Sequence, residues 1–264
     1  MGRLFAFREY KMIGGFITEK LNIITLQDVE TEEIHWLWEP YIPRGKITII
    51  QGDPGEGKTT MALAVAAAVT TGAALPGQVS GAEPAGVIYQ TAEDGLADTV
   101  KPRLLTLGAD CAKVHTIDEE EKSLSLDDGR IEQAILRTRA GLLILDPLQA
   151  YLGPEADMHR ASGMRPLFKE LGLMAERTGC AVIVIGHLNK NGGKSQYRGL
   201  GSIDIYAAAR SVLTVGKTGE DEHARAFAQG KSNLTPAGPS MGFSLDPEEG
   251  FRLSIRTASG HWFA

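Results

Sequence analysis

Cysteine is nearly absent from the sequence. Only Cys111 and Cys180 occur, far apart and without the spacing of a metal-ligand set. That excludes a disulfide framework and a zinc site, and leads us to expect reduced thiols in a cytoplasmic protein. Basic charge is also in deficit: 27 Lys and Arg stand against 33 Asp and Glu, for a net charge of -6 and a pI near 5.6. A surface that binds nucleic acid all over is excluded, and any DNA contact has to be confined to a local basic loop. Long apolar runs are missing too. The longest, MALAVAAAVTTGAALPG (61–77), is too short to span a membrane and reads as a buried helix ending at Gly72. Near the start, Arg8, Glu9 and Lys11 interrupt MGRLFAFREYKMIGGF before a signal-like stretch forms, so no membrane partner is expected. Internal repeats and low-complexity tracts are lacking as well.

What is present describes an ordinary soluble protein, 43% hydrophobic and 23% charged over 264 residues. That length allows one large α/β domain with a sizeable core. Residues 1–33 are weakly patterned and close on the acidic DVETEE, so they read as an N-terminal arm or linker, with a domain over 34–264. From Trp36 onward, strand-like runs alternate with helix-like segments. The strands are KITIIQG, AGVIYQT, KVHTI, GLLILD and CAVIVIGH; the helices are MALAVAAAV, LADTVKPRLLTLG, GRIEQAILRTR and MRPLFKELGLMAERTG. This alternation predicts a mostly parallel sheet flanked by helices. Beyond Ser202 the helix IDIYAAAR leads to SVLTV, ARAFAQ, GFSLD and GFRLSIR, shorter strands expected to extend the sheet antiparallel.

The stretch QGDPGEGKTT carries the first chemistry. Gly52, Asp53, Pro54, Gly55, Glu56, Gly57, Lys58 and Thr59 match GxxxxGK[ST], directly after a strand and, with Thr60, opening a helix. In that setting glycines let successive backbone N–H groups turn toward a phosphate, and the new helix adds the positive end of its dipole. Lys58 is expected to reach the β and γ phosphates, and the Thr59 hydroxyl to ligate Mg2+. Asp53 and Glu56 look out of place in a polyanion cradle. Because the backbone does the holding, their side chains are expected to point away from the phosphates, toward solvent or, were the chain part of a ring, toward a neighbouring subunit where Glu56 would meet a cation.

The carboxylates downstream decide what such a loop does. In GLLILDPLQAYLG, an apolar run delivers Asp146 to the carboxyl end of a strand, where ligands of open α/β sheets gather and an aspartate can hold Mg2+. GVIYQTAEDG ends in Glu93 and Asp94, of which one is expected to activate the attacking water and the other to serve elsewhere, as in a helix cap. CAVIVIGHLNK puts His187 at a third strand end, where a γ-phosphate sensor would sit.

With these elements in this order, the chain resembles the RecA-like P-loop NTPases, most closely the RepA-type hexameric replicative helicases of plasmids, phages and prophages. The resemblance runs over 36–256, through WLWEPYIPRGKITIIQGDPGEGKTT, TAEDG, LILDPLQAYLG, GHLNK, YRGLGSIDIYAAARSVLTV and KSNLTPAGPS. It implies ATP and Mg2+ as cofactors, Lys58 and Thr59 on nucleotide and metal, Glu93 on water, Asp146 on metal and His187 on the γ phosphate. It also implies a hexamer whose nucleotides lie between subunits, with an arginine inserted by the neighbour. Arg210 matches that finger best, Arg198 is second, and Lys231 would assist from the same side. DnaB-like helicases carry a lysine-x-arginine pair there, whereas this chain has Lys231-Ser232-Asn233.

Two loops would face the central channel of such a ring. GPEADMHRASGMR carries His159, Arg160 and Arg165 against Glu155 and Asp157, and is only modestly cationic. NKNGGKSQYRGLGS holds Lys190, Lys194, Tyr197 and Arg198 in a Gly-rich setting that suits single-stranded DNA. The implied function is ATP hydrolysis at subunit interfaces coupled to binding or translocation of single-stranded DNA. The alternative is a RecA-fold regulatory or assembly ATPase that acts on a protein partner without unwinding DNA. A P-loop small-molecule kinase fits less well, since no acceptor lid is marked.

Overall fold

Apolar runs flanked by glycine and charge become the spine of a sheet. The computed structural model describes residues 10–13, 16–19, 23–152, 161–187, 203–219, 221–246, 250–256 and 262–263. The chain divides into two compact units, 1–33 and 34–264. In the first, β1 (Tyr10–Ile13) and β2 (Phe16–Glu19) pair antiparallel, a hairpin that the weak patterning of this segment does not announce.

The second unit opens with a small hairpin, β3 (Trp36–Trp38) and β4 (Ile42–Pro43). There follow β5 (Ile47–Gly52), α1 (Lys58–Thr71), β6 (Gly86–Thr91), α2 (Lys101–Thr106), β7 (Val114–His115), α3 (Gly129–Thr138) and β8 (Ala140–Asp146). Next come α4 (Ala161–Thr178), β9 (Ala181–His187), α5 (Ile203–Ala208), β10 (Ser211–Lys217), β11 (Ala224–Ser232), β12 (Met241–Asp246), β13 (Gly250–Arg256) and β14 (Trp262–Phe263). One sheet orders them β14-β13-β12-β11-β10-β5-β9-β8-β6-β7. From β10 to β7 neighbouring strands run parallel, and from β10 outward to β14 they pair antiparallel.

Every residue of β5 and β8 is buried, as a parallel strand covered on both faces requires. Successive side chains supply opposite cores. Ile50, Leu142, Ile144, Ile183 and Ile185 pack with Met61 and Val65 of α1. Ile49, Leu143, Leu145, Val182 and Val184 pack with Ile131 of α3 and Phe168 and Leu171 of α4. Trp38, Tyr41 and Phe227 join the β3–β4 hairpin to β11, with ring centroids 4.9–5.5 Å apart.

Two segments depart from the sequence expectation. KVHTI contributes only Val114 and His115 to the sheet. LADTVKPRLLTLG does not start as an α-helix: Leu96–Val100 wind as a wider π turn, in which the Val100 N–H donates to Gly95 O at 3.0 Å, before α2 begins. Pro102 explains the break, because it has no N–H to give and its ring crowds the carbonyl four residues back.

Strand register fixes the site. Gly52 lies opposite His187 in the β5–β9 pair, and Thr91 opposite Asp146 in the β6–β8 pair. The carboxyl ends of four strands therefore finish on one edge.

Candidate functional site

The loop between β5 and α1 is shaped by what cannot fit. A Cβ on Gly52 would stand 2.4 Å from Val215 O, so a side chain there would push β5 and β10 apart. Gly57 has φ +90° and precedes α1 without a capping side chain, so the first N–H groups of α1 open onto the loop. Lys58 is 4% exposed, and its ammonium donates to Gly52 O at 2.9 Å and Asp53 O at 2.7 Å, spanning the loop it follows. Burial pushes its pKa down, and the surrounding carboxylates Asp146, Asp53, Glu56 and Glu93 act against that shift.

Asp146 is the buried centre of the arrangement. The Thr59 hydroxyl donates to its Oδ2 at 2.7 Å, and the Tyr89 hydroxyl donates to the same oxygen at 3.1 Å. Burial raises the Asp146 pKa; these two hydrogen bonds oppose the rise, and repulsion from Glu93 and Asp94 adds to it. Tyr89 itself is pushed upward by burial and by Asp146, which keeps its hydroxyl a donor. The signal for Tyr89 was present in the sequence as one hydroxyl inside the buried run GVIYQT, but nothing there distinguished it from core.

The donor set suits a hard divalent cation. Thr59 Oγ1 and Asp146 Oδ2 are adjacent oxygens beside the phosphate loop, the arrangement in which Mg2+ leans on one or two protein oxygens and on phosphate. Among the described residues no group of three or more His, Cys, Asp and Glu forms a dedicated metal cage. If Mg2+ binds, Thr59 and Asp146 would hold it, and it would supply charge neutralisation to the phosphates.

The two adjacent acids after β6 separate. The N–H groups of Glu93 and Asp94 donate to Thr91 Oγ1 at 3.4 and 3.1 Å, which turns the chain after β6. Asp94 pairs with Arg103 of α2 at 2.9 Å, so it serves that pair; the N-cap position belongs to Gly95. Glu93 is the acid whose charge acts on Lys58 as well as on Asp146. His187 ends β9, and its place at this edge rests on backbone register with Gly52.

Asp53 is exposed. For Glu56 the cation lies in the same chain and not across an interface: its side chain is 14% exposed and faces Arg225, with Oε2 3.9 Å from Arg225 Nε. The outer surface of the loop is not open at this point, because β12 covers it. A Cβ on Gly57 would meet Leu245 Cδ1 at 2.5 Å and Phe243 Cε2 at 3.1 Å. Arg225 was legible only as a cation inside the alternating run ARAFAQ.

Arg210 and Lys231 occupy the opposite edge of the sheet. The Arg210 N–H donates to Ile47 O at 2.9 Å, at the start of β5, whereas the phosphate loop follows its end. Lys231 donates to Tyr206 O at 2.7 Å and Ala207 O at 3.0 Å, at the C-terminus of α5, and lies 5.2 Å from the Tyr206 ring centroid. Burial and the Arg210 charge both lower its pKa. Around Arg210 a cavity of about 470 Å³ is lined by Lys46, Arg165, Lys169 and Glu176 among others. Lys190, Lys194, Tyr197, Arg198, His159 and Arg160 lie outside the described residues. Among the described residues no helix is long and apolar enough to cross a membrane.

Residues 19–193 match the family described as AAA domain. The chain is similar to DNA repair protein RadA of Bacillus subtilis (strain 168), at 27% identity over 155 residues, covering 57% of this chain and 30% of that protein. DNA repair protein RadA of Streptococcus pneumoniae is 24% identical over 165 residues, covering 62% and 35%. The chain thus spans about a third of the length of the curated relatives it matches. A solved KaiC-like protein of Pyrococcus horikoshii OT3 superposes with a TM-score of 0.58 at 15% identity, over 80% of this chain and 90% of that one. The fold shared with it is RecA-like: a mostly parallel sheet between helices, extended by antiparallel strands.

Proposed function

This chain belongs to the AAA domain family, as a RecA-like P-loop ATPase, and on that premise we propose that it hydrolyses Mg2+–ATP between neighbouring copies in a ring and couples the cycle to single-stranded DNA, in the manner of a RepA-type replicative helicase. The observation that carries this reading is the contact of Thr59 with Asp146, 2.7 Å apart, beside Lys58, with Glu93 close enough to act on both Lys58 and Asp146. Lys58 and the N–H groups of α1 bind the triphosphate, Thr59 and Asp146 hold the cation, and Glu93 takes the proton of the attacking water. Arg210 lies too far from its own loop to serve it, which favours its service to a neighbour. His187 senses the γ phosphate, and Arg198 is the second candidate for the finger.

A role on DNA is supported by the similarity to proteins named for DNA repair and by the cationic run Lys190, Lys194, Tyr197 and Arg198. The test is the ATPase rate with and without single-stranded DNA across a salt series. A DNA-dependent rise that fades with salt is expected; a flat response removes the motor reading. The net charge of -6 favours a second reading, a regulatory ATPase that acts on a protein partner. Unchanged DNA binding by Lys194→Ala and Arg198→Ala variants would select it.

A further inference from the structure

A carboxylate in a phosphate loop needs an explanation in charge. Glu56 stands one residue before Gly57, and its charge reaches Lys58. In water a triphosphate would repel it modestly; in a buried setting the repulsion is screened far less. Glu56 is nevertheless largely buried, as is Arg225, whose side chain is 9% exposed. The guanidinium is held at the start of its strand and by the turn before it: Nη1 donates to Ala224 O at 3.1 Å and to Glu222 O. Its Nε lies 3.9 Å from Glu56 Oε2, beyond hydrogen-bond distance, and neither atom has a hydrogen-bond partner among the described residues. Around the pair, Phe243 and Leu245 of β12 lie against Gly57 so closely that a Cβ would collide. The antiparallel extension is therefore one wall of the phosphate loop.

We propose that Arg225 is a positioning residue of the nucleotide site: it neutralises Glu56 in place, so that β11 and β12 hold the loop in the shape that accepts a triphosphate. The proposal rests on reading residues 52–59 as a triphosphate site. When the polyanion arrives, repulsion drives the Glu56 carboxylate toward the guanidinium, and the two idle atoms close to a charge-assisted hydrogen bond. Loss of Arg225 leaves a buried carboxylate beside the phosphates without its ion-pair partner. Nucleotide binding and the C-terminal strands are thereby linked through one ion pair.

The experiment measures binding of a fluorescent ATP analogue with Mg2+ to the full chain, without DNA, alongside the far-ultraviolet spectrum and Tm of each variant. Wild-type binding checks the triphosphate reading by itself, so failure of that reading is visible before any variant is compared. Arg225→Met is expected to weaken binding tenfold or more. The double variant Glu56→Gln, Arg225→Met is expected to return to within about threefold of wild type, since no unmatched charge is left. Normal binding by Arg225→Met overturns the proposal, and so does a double variant as weak as the single one. Should Arg225→Met fail to fold, the double variant decides alone, with a tenfold loss against the proposal and binding near wild type for it. In turnover, the single variant should raise KM while kcat changes less than twofold at saturating ATP; a fall in kcat with KM unchanged contradicts positioning.

Discussion

The two ends of the parallel sheet carry opposite chemistry. At the carboxyl ends of β5, β6 and β8 stand Lys58 and the acids Asp53, Glu93, Asp94 and Asp146. At the amino end of β5, Lys46, Arg165, Lys169 and Arg210 surround one cavity, with Glu176 bonded to Lys46 at 2.6 Å. Strand β5 separates the two ends: Ile47–Gly52 rises about 3.3 Å per residue, roughly 17 Å along the strand. An arginine anchored beside Ile47 does not reach the loop after Gly52. The acids and this candidate finger therefore sit on opposite edges of one chain, and under the proposed function they would meet only across two neighbouring copies.

The largest expected effect breaks that comparison directly. Arg210→Ala should lower ATP turnover by about 10³-fold or more, the range of a trans arginine in phosphoryl transfer, with nucleotide binding retained. Mixing Arg210→Ala with Lys58→Ala, each inactive alone, should restore part of the activity, because a mixed assembly joins an intact loop to an intact arginine. No recovery on mixing, or normal turnover by Arg210→Ala, would leave the amino edge without a catalytic part.

At the acidic edge the two adjacent carboxylates give a sharper contrast. Glu93→Gln should cost about 10²–10⁴-fold in turnover and spare ATP binding, as expected for loss of a general base. Asp94→Asn should cost far less, since Asp94 is held by Arg103 in an exposed pair. If the two variants exchange these outcomes, the water-activating role belongs to Asp94.

The acidic edge was largely legible in the sequence, because a strand end is a local feature. A run such as GLLILD fixes both the strand and the residue that terminates it, and burial of both faces makes the register unforgiving. Asp146 could therefore be placed without knowing what touches it. Tyr89, Arg225 and the burial of Glu56 could not, because each depends on a partner far along the chain. Tyr89 meets Asp146 57 positions away, and Arg225 meets a loop that lies on the other side of β10 in sequence. The π turn at Leu96–Val100 had a local sign in Pro102, but the helical periodicity of LADTVKPRLL hides it. In the same way, nothing local says that Lys231 ends on the C-terminal carbonyls of α5.

That contact makes Lys231 the finest test of the amino edge. Its ammonium caps two carbonyls at the end of α5 and sits by the Tyr206 ring, where a cation stabilises a helix terminus by its dipole and by hydrogen bonds. The group is partly exposed, so solvent screening keeps the contribution near 1 kcal/mol. Lys231→Met should therefore lower Tm by about 2–4 °C, as measured by circular dichroism. Turnover of the folded variant at saturating ATP should stay within about twofold. A tenfold fall in turnover with Tm unchanged would reverse the assignment and place Lys231 beside Arg210 as a second cation offered to the neighbouring copy.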